Sequence, residues 1–143
     1  MEALAAFGLA CNVMQVIGFV HDGAQVGKTI YETGCLDPSL AEATSCLSKG
    51  VEDLELSIET APRPWNRDEQ ELFDIAKGSL NTALALKTEL VKIAGISSKG
   101  KQSAAFRGWL RVMTGGKRKI DKMEKEMRSR REMLENRLLL RVW

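Results

Sequence analysis

The sequence predicts an all-α fold, a bundle of four to five helices, on three observations. Apolar residues recur at spacings of three and four along most of the chain, and proline or glycine clusters separate the periodic segments. No stretch alternates polar and apolar residues convincingly enough for a strand. A length of 143 residues fits one domain, residues 1–143, with a substantial core. We expect a long apolar helix at the N-terminus and a long basic helix at the C-terminus.

The first predicted helix opens with a run that carries no charged side chain. Residues 3–20 contain no Asp, Glu, Lys or Arg, and their strongly polar residues are Asn12 and Gln15. As a helix this run would extend about 27 Å, close to the ~30 Å apolar thickness of a bilayer. It carries two apolar stripes on nearly opposite sides, one through Phe7 and one through Val13, and such a helix needs cover on several sides. We expect it to fit either a protein core or a membrane, without being a constitutive anchor.

Turn residues bound the first and second predicted helices. The first continues to about Glu32, with Gly34 as its stop. Asp37 and Pro38 then supply an N-cap and a proline at the first position of the second helix, which ends at residues 61–64. Its inner stripe comprises Leu40, Ala43, Leu47, Val51, Leu54 and Ile58. Its acidic outer face comprises Glu42, Glu52, Asp53, Glu55 and Glu59.

Three further helices are predicted in the second half. Asn66 and Glu69 form a capping pattern before the third helix, for which Gly95 is the expected end. Its inner stripe is Leu72, Ile75, Ala83, Leu86, Leu90 and Ile93, widened by Phe73, Leu80 and Val91. A short basic helix is expected over residues 102–113, and Gly115 with Gly116 should break the chain before a last helix. That helix runs from Lys117 to Trp143 with Ile120, Met123, Met127, Leu134 and Leu138 inward.

The charges of the chain are divided unevenly along its length. Residues 1–97 carry 7 Lys and Arg against 14 Asp and Glu, whereas residues 98–143 carry 14 against 5. Either the two parts attract one another, or the basic part meets phosphate on lipid or nucleic acid; a solvated basic face is the plainest interpretation. Each basic residue near an anionic leaflet contributes about 1 kcal/mol to the free energy of membrane binding. The predicted anionic-lipid-binding residues are Lys117, Arg118, Lys119, Lys122 and Lys125.

Patterns that would indicate an enzyme are absent or incomplete. Residues 22–29 end in the GKT of a phosphate-binding loop, but Asp22 stands where glycine is required, and three residues separate Gly23 from Gly27 instead of four. The chain has one histidine, His21, and its three cysteines form no C-x-x-C pair, which favours a reduced, cytoplasmic protein. We therefore predict no enzyme, no catalytic residue, no metal and no cofactor.

Four segments spread along the chain resemble one known family. Residues 1–17 (MEALAAFGLACNVMQVI) are similar to the start of fungal HeLo-like domains, the N-terminal domains of STAND proteins of the NOD-like receptor type. Residues 106–110 (FRGWL), 120–125 (IDKMEK) and 138–140 (LLL) resemble that family's basic segment and closing helix. The similarity is one of sequence character along the chain and includes no catalytic signature.

The resemblance implies a cell-death effector, of the kind that acts in heterokaryon incompatibility and innate immunity. Such a helical bundle precedes a nucleotide-binding oligomerisation module, which this chain does not carry. On activation it would form a homo-oligomer and move from the cytoplasm to the plasma membrane, which it permeabilises with its N-terminal helix. The membrane-inserting residues would then be Leu4, Phe7, Leu9, Val13, Val16, Ile17, Phe19 and Val20.

Two other functions stay open. A helical adaptor that binds other helical domains, without membrane activity, fits the same bundle. Binding of nucleic acid by the basic helix is a third class, although we expect no nucleic-acid partner, because the basic-zipper spacing is absent and aromatic residues for base stacking are sparse.

Overall fold

The computed structural model describes residues 3–61, 63, 67–99, 108 and 115–142, with side chains for 6–61, 63, 67–95, 108 and 115–136. Four long α-helices lie in these ranges: α1 (Ala3–Thr33), α2 (Leu40–Thr60), α3 (Arg67–Lys99) and α4 (Gly116–Val142). No strand occurs in these described ranges, so the all-α prediction is confirmed for them. The predicted cap Asn66 and most of the short helix expected over 102–113 lie outside the described residues.

The helices form an up-down-up-down bundle. Asn12 of α1 donates a hydrogen bond to Ser57 of α2, near the far end of that helix, so α1 and α2 are antiparallel. Arg130 of α4 donates a hydrogen bond to Thr82 of α3, and Lys119 near the start of α4 lies beside Glu89 in the second half of α3. These two helices are therefore also antiparallel. α2 and α4 each pack on both α1 and α3, and therefore occupy opposite corners of the bundle.

The core follows the predicted helical stripes closely. From α1 it takes the stripe through Val13, whereas Phe7 and Cys11 of the other stripe are exposed and Met14 packs partly against the core. The predicted inner residues of α2 and α3 are buried, except that Ile58 and Leu80 are partly buried against the core and Val91 is exposed. The largest side chains that are almost fully buried include Leu9, Ile30, Leu47, Leu54, Leu86, Leu90, Ile93, Ile120 and Leu134.

α1 and α3 run parallel and approach closely through two glycines. A Cβ atom at Gly23 would lie 3.2 Å from the Leu86 side chain, and one at Gly27 would lie 2.8 Å from Ile120 of α4. Small residues four apart let helix backbones approach, and here leucine and isoleucine side chains fill the space that they leave. The second half of α1 is therefore held tightly between α3 and α4.

The ends of α1 and α2 follow their turn residues. Gly34 has φ 66°, the left-handed conformation that glycine supplies after a helix, and its N–H bonds the Ile30 carbonyl. The Asp37 carboxylate accepts a hydrogen bond from the Ser39 N–H at 2.8 Å, which caps a turn; α2 itself begins at Leu40, later than predicted. α2 ends before Ala61, which is extended because the next residue is proline.

Two predictions for α3 are wrong. Gly95 does not end the helix, which continues to Lys99, and its φ is not positive. A glycine inside a helix costs only about 1 kcal/mol, too little to stop a helix that neighbouring residues hold. Val91 does not widen the core stripe but is 51% exposed, because the residue after Leu90 points about 100° away from it around the helix.

Candidate functional site

The predicted membrane-inserting residues of α1 divide between the core and the surface. Five of them are buried: Leu9, Val13, Val16, Ile17 and Val20. They belong to one core cluster with buried residues of α2 and α3. Phe19 is partly buried and its ring packs over Gly50 of α2. Phe7 is 62% exposed, and the side chain of Leu4 lies outside the described residues. In this fold the seven of these residues whose side chains are described do not share one surface, since five of them lie in the core.

An ionic cluster joins α1 to α4 beside this core. Lys28 Nζ lies 2.8 Å from Asp121 Oδ1 and 3.1 Å from Glu124 Oε2. Gln25 donates to the same Glu124 oxygen at 3.3 Å, and Arg128 approaches its other oxygen at 3.5 Å. Glu124 is only 8% exposed, so its charge depends on these partners. The four residues around Glu124 thus connect the two helices that carry the predicted functional residues.

The electrostatics of this cluster favour its charged form. The hydrogen bond to Asp121 raises the pKa of Lys28 above its ordinary 10.5, and Glu124 adds to this against the effect of burial. The same hydrogen bond holds the pKa of Asp121 below its ordinary 3.8. At neutral pH the contact is therefore a fully ionised one.

The five predicted lipid-binding residues form a basic cluster over the first turns of α4. Lys117, Arg118, Lys119, Lys122 and Lys125 are all exposed. Lys117 lies 3.0 Å from Glu32 of α1, and Lys119 lies 3.7 Å from the buried carboxylate of Glu89 on α3. No acidic residue stands in the first turn of α4, where the helix dipole favours negative charge. The structure thus concentrates positive charge where a helix least favours it.

The acidic face of α2 lies away from this basic cluster. Glu42, Glu52 and Glu59 are exposed on α2, which occupies the corner of the bundle opposite α4. The two ion pairs of the cluster are made with α1 and α3, the helices that flank α4. Among the described residues, the acidic face of α2 and the basic cluster of α4 therefore lie at opposite corners of the bundle.

The segment that resembles a phosphate-binding loop has a different role. Residues 22–29 are helical throughout, so their backbone N–H groups serve the helix and cannot wrap a phosphate. Its lysine, Lys28, binds two carboxylates of α4. Within the described residues no group of three His, Cys, Asp or Glu side chains could hold a metal ion, and the three cysteines are free.

Comparison with protein-family models, curated proteins and solved structures finds no match in any of the three. Among the described helices, none combines the length and the apolar character needed to cross a bilayer. The function is therefore inferred from the geometry of α1 and α4 and from the resemblance in the sequence.

The ionic cluster was not predicted from the sequence, although one feature of the charge pattern is consistent with it. Lys28 is the only Lys or Arg in residues 1–48, and Asp121 and Glu124 are the first acidic residues of the basic segment. A basic residue in a segment without other basic residues, or an acidic residue within a basic segment, indicates a specific ion-pair partner. The sequence does not show which helix register brings these three residues together.

Proposed function

We propose that this chain is a membrane-targeting effector bundle of the HeLo-like kind. A cytoplasmic bundle would bind the anionic leaflet of the plasma membrane through the basic cluster, form a homo-oligomer, and permeabilise the membrane with α1 in regulated cell death. The observation that carries this proposal is the basic cluster: five exposed cations on the start of one helix, opposite the acidic face of α2. At about 1 kcal/mol for each Lys or Arg near an anionic surface, such a cluster supplies several kcal/mol of attraction.

The burial of α1 sets a condition on its release. Five buried side chains at about 1.5 to 3 kcal/mol each correspond to about 7 to 15 kcal/mol, the size of the whole stability of an ordinary domain. In water α1 therefore stays in the bundle. Release needs the combined attraction of the membrane, the burial of these side chains in lipid, and contacts between copies. Phe7 is 62% exposed, but it lies at the other end of α1 from Glu32, which pairs with Lys117 of the basic cluster. It would therefore reach lipid when the bundle lies lengthwise on the surface or after α1 is released.

The role of the basic cluster is tested with Arg118→Glu combined with Lys125→Glu. Neither residue makes an ion pair among the described residues, although the charge of Lys125 helps to lower the pKa of Asp121. Reversing that charge at a spacing of four should cost about 0.2 to 0.5 kcal/mol, so the melting temperature should fall only slightly. Loss of two attractions of about 1 kcal/mol each should weaken binding to vesicles containing phosphatidylserine by roughly 30-fold or more. The matched control is Lys49→Glu with Lys77→Glu, which changes the net charge equally on α2 and α3. Equal weakening by both pairs, or binding that does not depend on salt, would refute the role of the cluster.

The role of α1 is tested better by a single exposed residue than by deletion. Removing residues 2–20 would take away at least six core side chains, so a loss of dye leakage could reflect unfolding alone. Phe7→Asp changes a side chain that is 62% exposed, and should leave stability nearly intact while reducing leakage from anionic vesicles. Leu56→Asp is the control, because Leu56 on α2 is 60% exposed. Equal leakage from both variants would mean that the start of α1 does not enter the membrane.

A helical adaptor is the second candidate, and one observation favours it. Leu84 and Val91 lie two turns apart on α3 and are 37% and 51% exposed. Apolar residues at this spacing suit contact with another helix. If Leu84→Glu with Val91→Glu abolished association in solution while vesicle binding was absent even in the unaltered chain, the adaptor function would replace the membrane function.

A further inference from the structure

A groove between α3 and α4 brings two lysines of the basic cluster together with other polar groups. It has a volume of about 390 Å³, and its lining includes Lys119, Lys122, Glu126 and Arg130 from α4 and Asn81 and Thr82 from α3. Two of these residues, Lys119 and Lys122, belong to the basic cluster. The others were not singled out in the sequence, because residues on two helices form the groove only once α3 and α4 pack antiparallel.

Arg130 is held in a defined position in this groove. One terminal nitrogen, Nη1, donates a hydrogen bond of 2.6 Å to the Thr82 hydroxyl, and Thr82 is 5% exposed. The guanidinium lies against Gly78, where a Cβ atom would come within 2.8 Å of Nε. The absence of a side chain at Gly78 therefore lets Arg130 lie flat on α3. A fixed guanidinium loses little freedom when it binds an anion, and its remaining N–H groups match two oxygens of a phosphate.

The charge balance of the groove is positive. Lys119, Lys122 and Arg130 line the groove together with one carboxylate, Glu126, and Lys119 also lies 3.7 Å from Glu89. Glu126 is 4.0 Å from Arg130 and 3.5 Å from the Thr82 hydroxyl, so it makes no short hydrogen bond to the guanidinium, although it lowers the net charge of the groove. With Glu89 counted, about one positive charge remains, so the groove still attracts an anion such as a phosphate monoester.

We infer that this groove binds a phosphomonoester carried on a polar, hydroxyl-rich group. Arg130 would take two phosphate oxygens, Lys119 and Lys122 would supply flexible charges, and the Asn81 amide would bond a hydroxyl beside the phosphate. The volume lies in the range of small-molecule sites, about 300 to 1,000 Å³, so it holds more than a single phosphate ion. The inference goes beyond the proposed function, since either a phosphorylated lipid head group or a free phosphorylated molecule has this chemistry.

The first experiment measures binding of soluble inositol trisphosphate to the full chain by calorimetry, with inorganic phosphate as a weaker reference. Arg130→Gln and Lys122→Gln should each weaken binding by tenfold or more. Arg131→Gln should change it by less than twofold, because Arg131 is exposed outside the groove and pairs with Glu135. Glu126→Gln should tighten binding severalfold, a gain that damage to the fold cannot produce. Equal losses for Arg130→Gln and Arg131→Gln would overturn the inference.

The second experiment separates the two sources of the phosphate. Vesicles of phosphatidylcholine with a phosphoinositide are compared with phosphatidylserine vesicles of equal surface charge. Preference for the phosphoinositide, lost in Lys122→Gln, assigns the groove to a lipid head group; binding of the soluble probe without this preference assigns it to a free molecule. Binding of neither overturns the inference, whereas vesicle binding lost only in Arg118→Glu with Lys125→Glu would leave the proposed function standing without the groove.

Discussion

Replacing Lys28 with methionine tests whether the ionic cluster holds α1 to α4. The change keeps the length and apolar stem of the side chain and removes the contacts to Asp121 and Glu124. The Asp121 side chain is 42% exposed and regains water, so the cost arises mainly at Glu124, whose side chain is 10% exposed.

The magnitude follows from what remains around Glu124. Removing one partner from a fully buried ion pair costs about 3 to 5 kcal/mol. Here Arg128 at 3.5 Å and Gln25 at 3.3 Å still compensate the carboxylate, so we expect the loss of one charge-assisted hydrogen bond, about 2 kcal/mol. For a chain of this size that corresponds to a melting temperature lower by roughly 6 °C.

Thermal unfolding followed by circular dichroism, without lipid, measures this loss, and Lys49→Met on the exposed side of α2 is the control. Lys28→Met with Glu124→Met should lose less stability than the sum of the two single changes, because an apolar pair leaves no carboxylate without its partner. Hydrogen exchange in the second half of α1 should also become faster. A melting temperature within about 1 °C of the unaltered chain, or strict additivity in the double variant, would refute the reasoning.

The pKa shifts give the pH range in which Lys28→Met should differ in stability from the unaltered chain. The pKa of Asp121 is lowered in the folded chain, so its contribution is present above pH 3.8 and is lost as the pH falls through the folded pKa. The pKa of Lys28 is raised, so its contribution is present below pH 10.5 and is lost as the pH rises through the folded pKa. The gap between Lys28→Met and the unaltered chain should therefore be constant near neutral pH and shrink in acid.

Three further changes test other parts of the structure. Burial and the charge of Glu89 raise the pKa of Tyr31, the only tyrosine, above 10.0. The tyrosinate absorbance should therefore appear at higher pH in the folded chain than in urea, and the free energy of unfolding should fall as the pH rises past 10.0. Gly95→Ala should raise stability by about 0.5 to 1 kcal/mol in chemical denaturation, because nothing lies within 4 Å of an added Cβ; a helix that ended at Gly95 would instead be destabilised. Gly50→Ala should lower it by about 1 to 3 kcal/mol, because the Cβ would lie 2.7 Å from the Phe19 ring, and a neutral result would mean that this ring can shift freely.

The helices could be predicted where one face of the sequence differs clearly from the other. α2 has apolar residues inward and carboxylates outward, so its core stripe was predicted correctly from Leu40 to Leu54. α1 has two apolar stripes, and the sequence alone does not select between them. The stripe through Val13 is buried because its side chains fit between α2 and α3, a property of three helices together. Gly95 shows the same limit, because a stop glycine and an interior glycine look alike without their backbone angles.

The candidate site shows a similar division between local and tertiary information. The exposure of the basic cluster follows from the spacing of its charges along one helix, and was predicted. The pairing of Lys28 with Glu124 and of Arg130 with Thr82 depends on the register between helices far apart in sequence. No local pattern encodes that register, since it results from the packing of the whole core.

The acidic face of α2 and the basic cluster of α4 at opposite corners contribute a dipole moment across the described bundle. In the field of a negatively charged plane such a body experiences a torque as well as an attraction, and it turns before it touches. This rotation takes place within about one Debye length, ~8 Å at physiological ionic strength. The molecule should arrive with α4 foremost and α2 farthest from the plane, while α1, which packs beside α4, stands at the flank nearest the surface. The angle of approach is thus decided by charge, before any shape or apolar contact is felt.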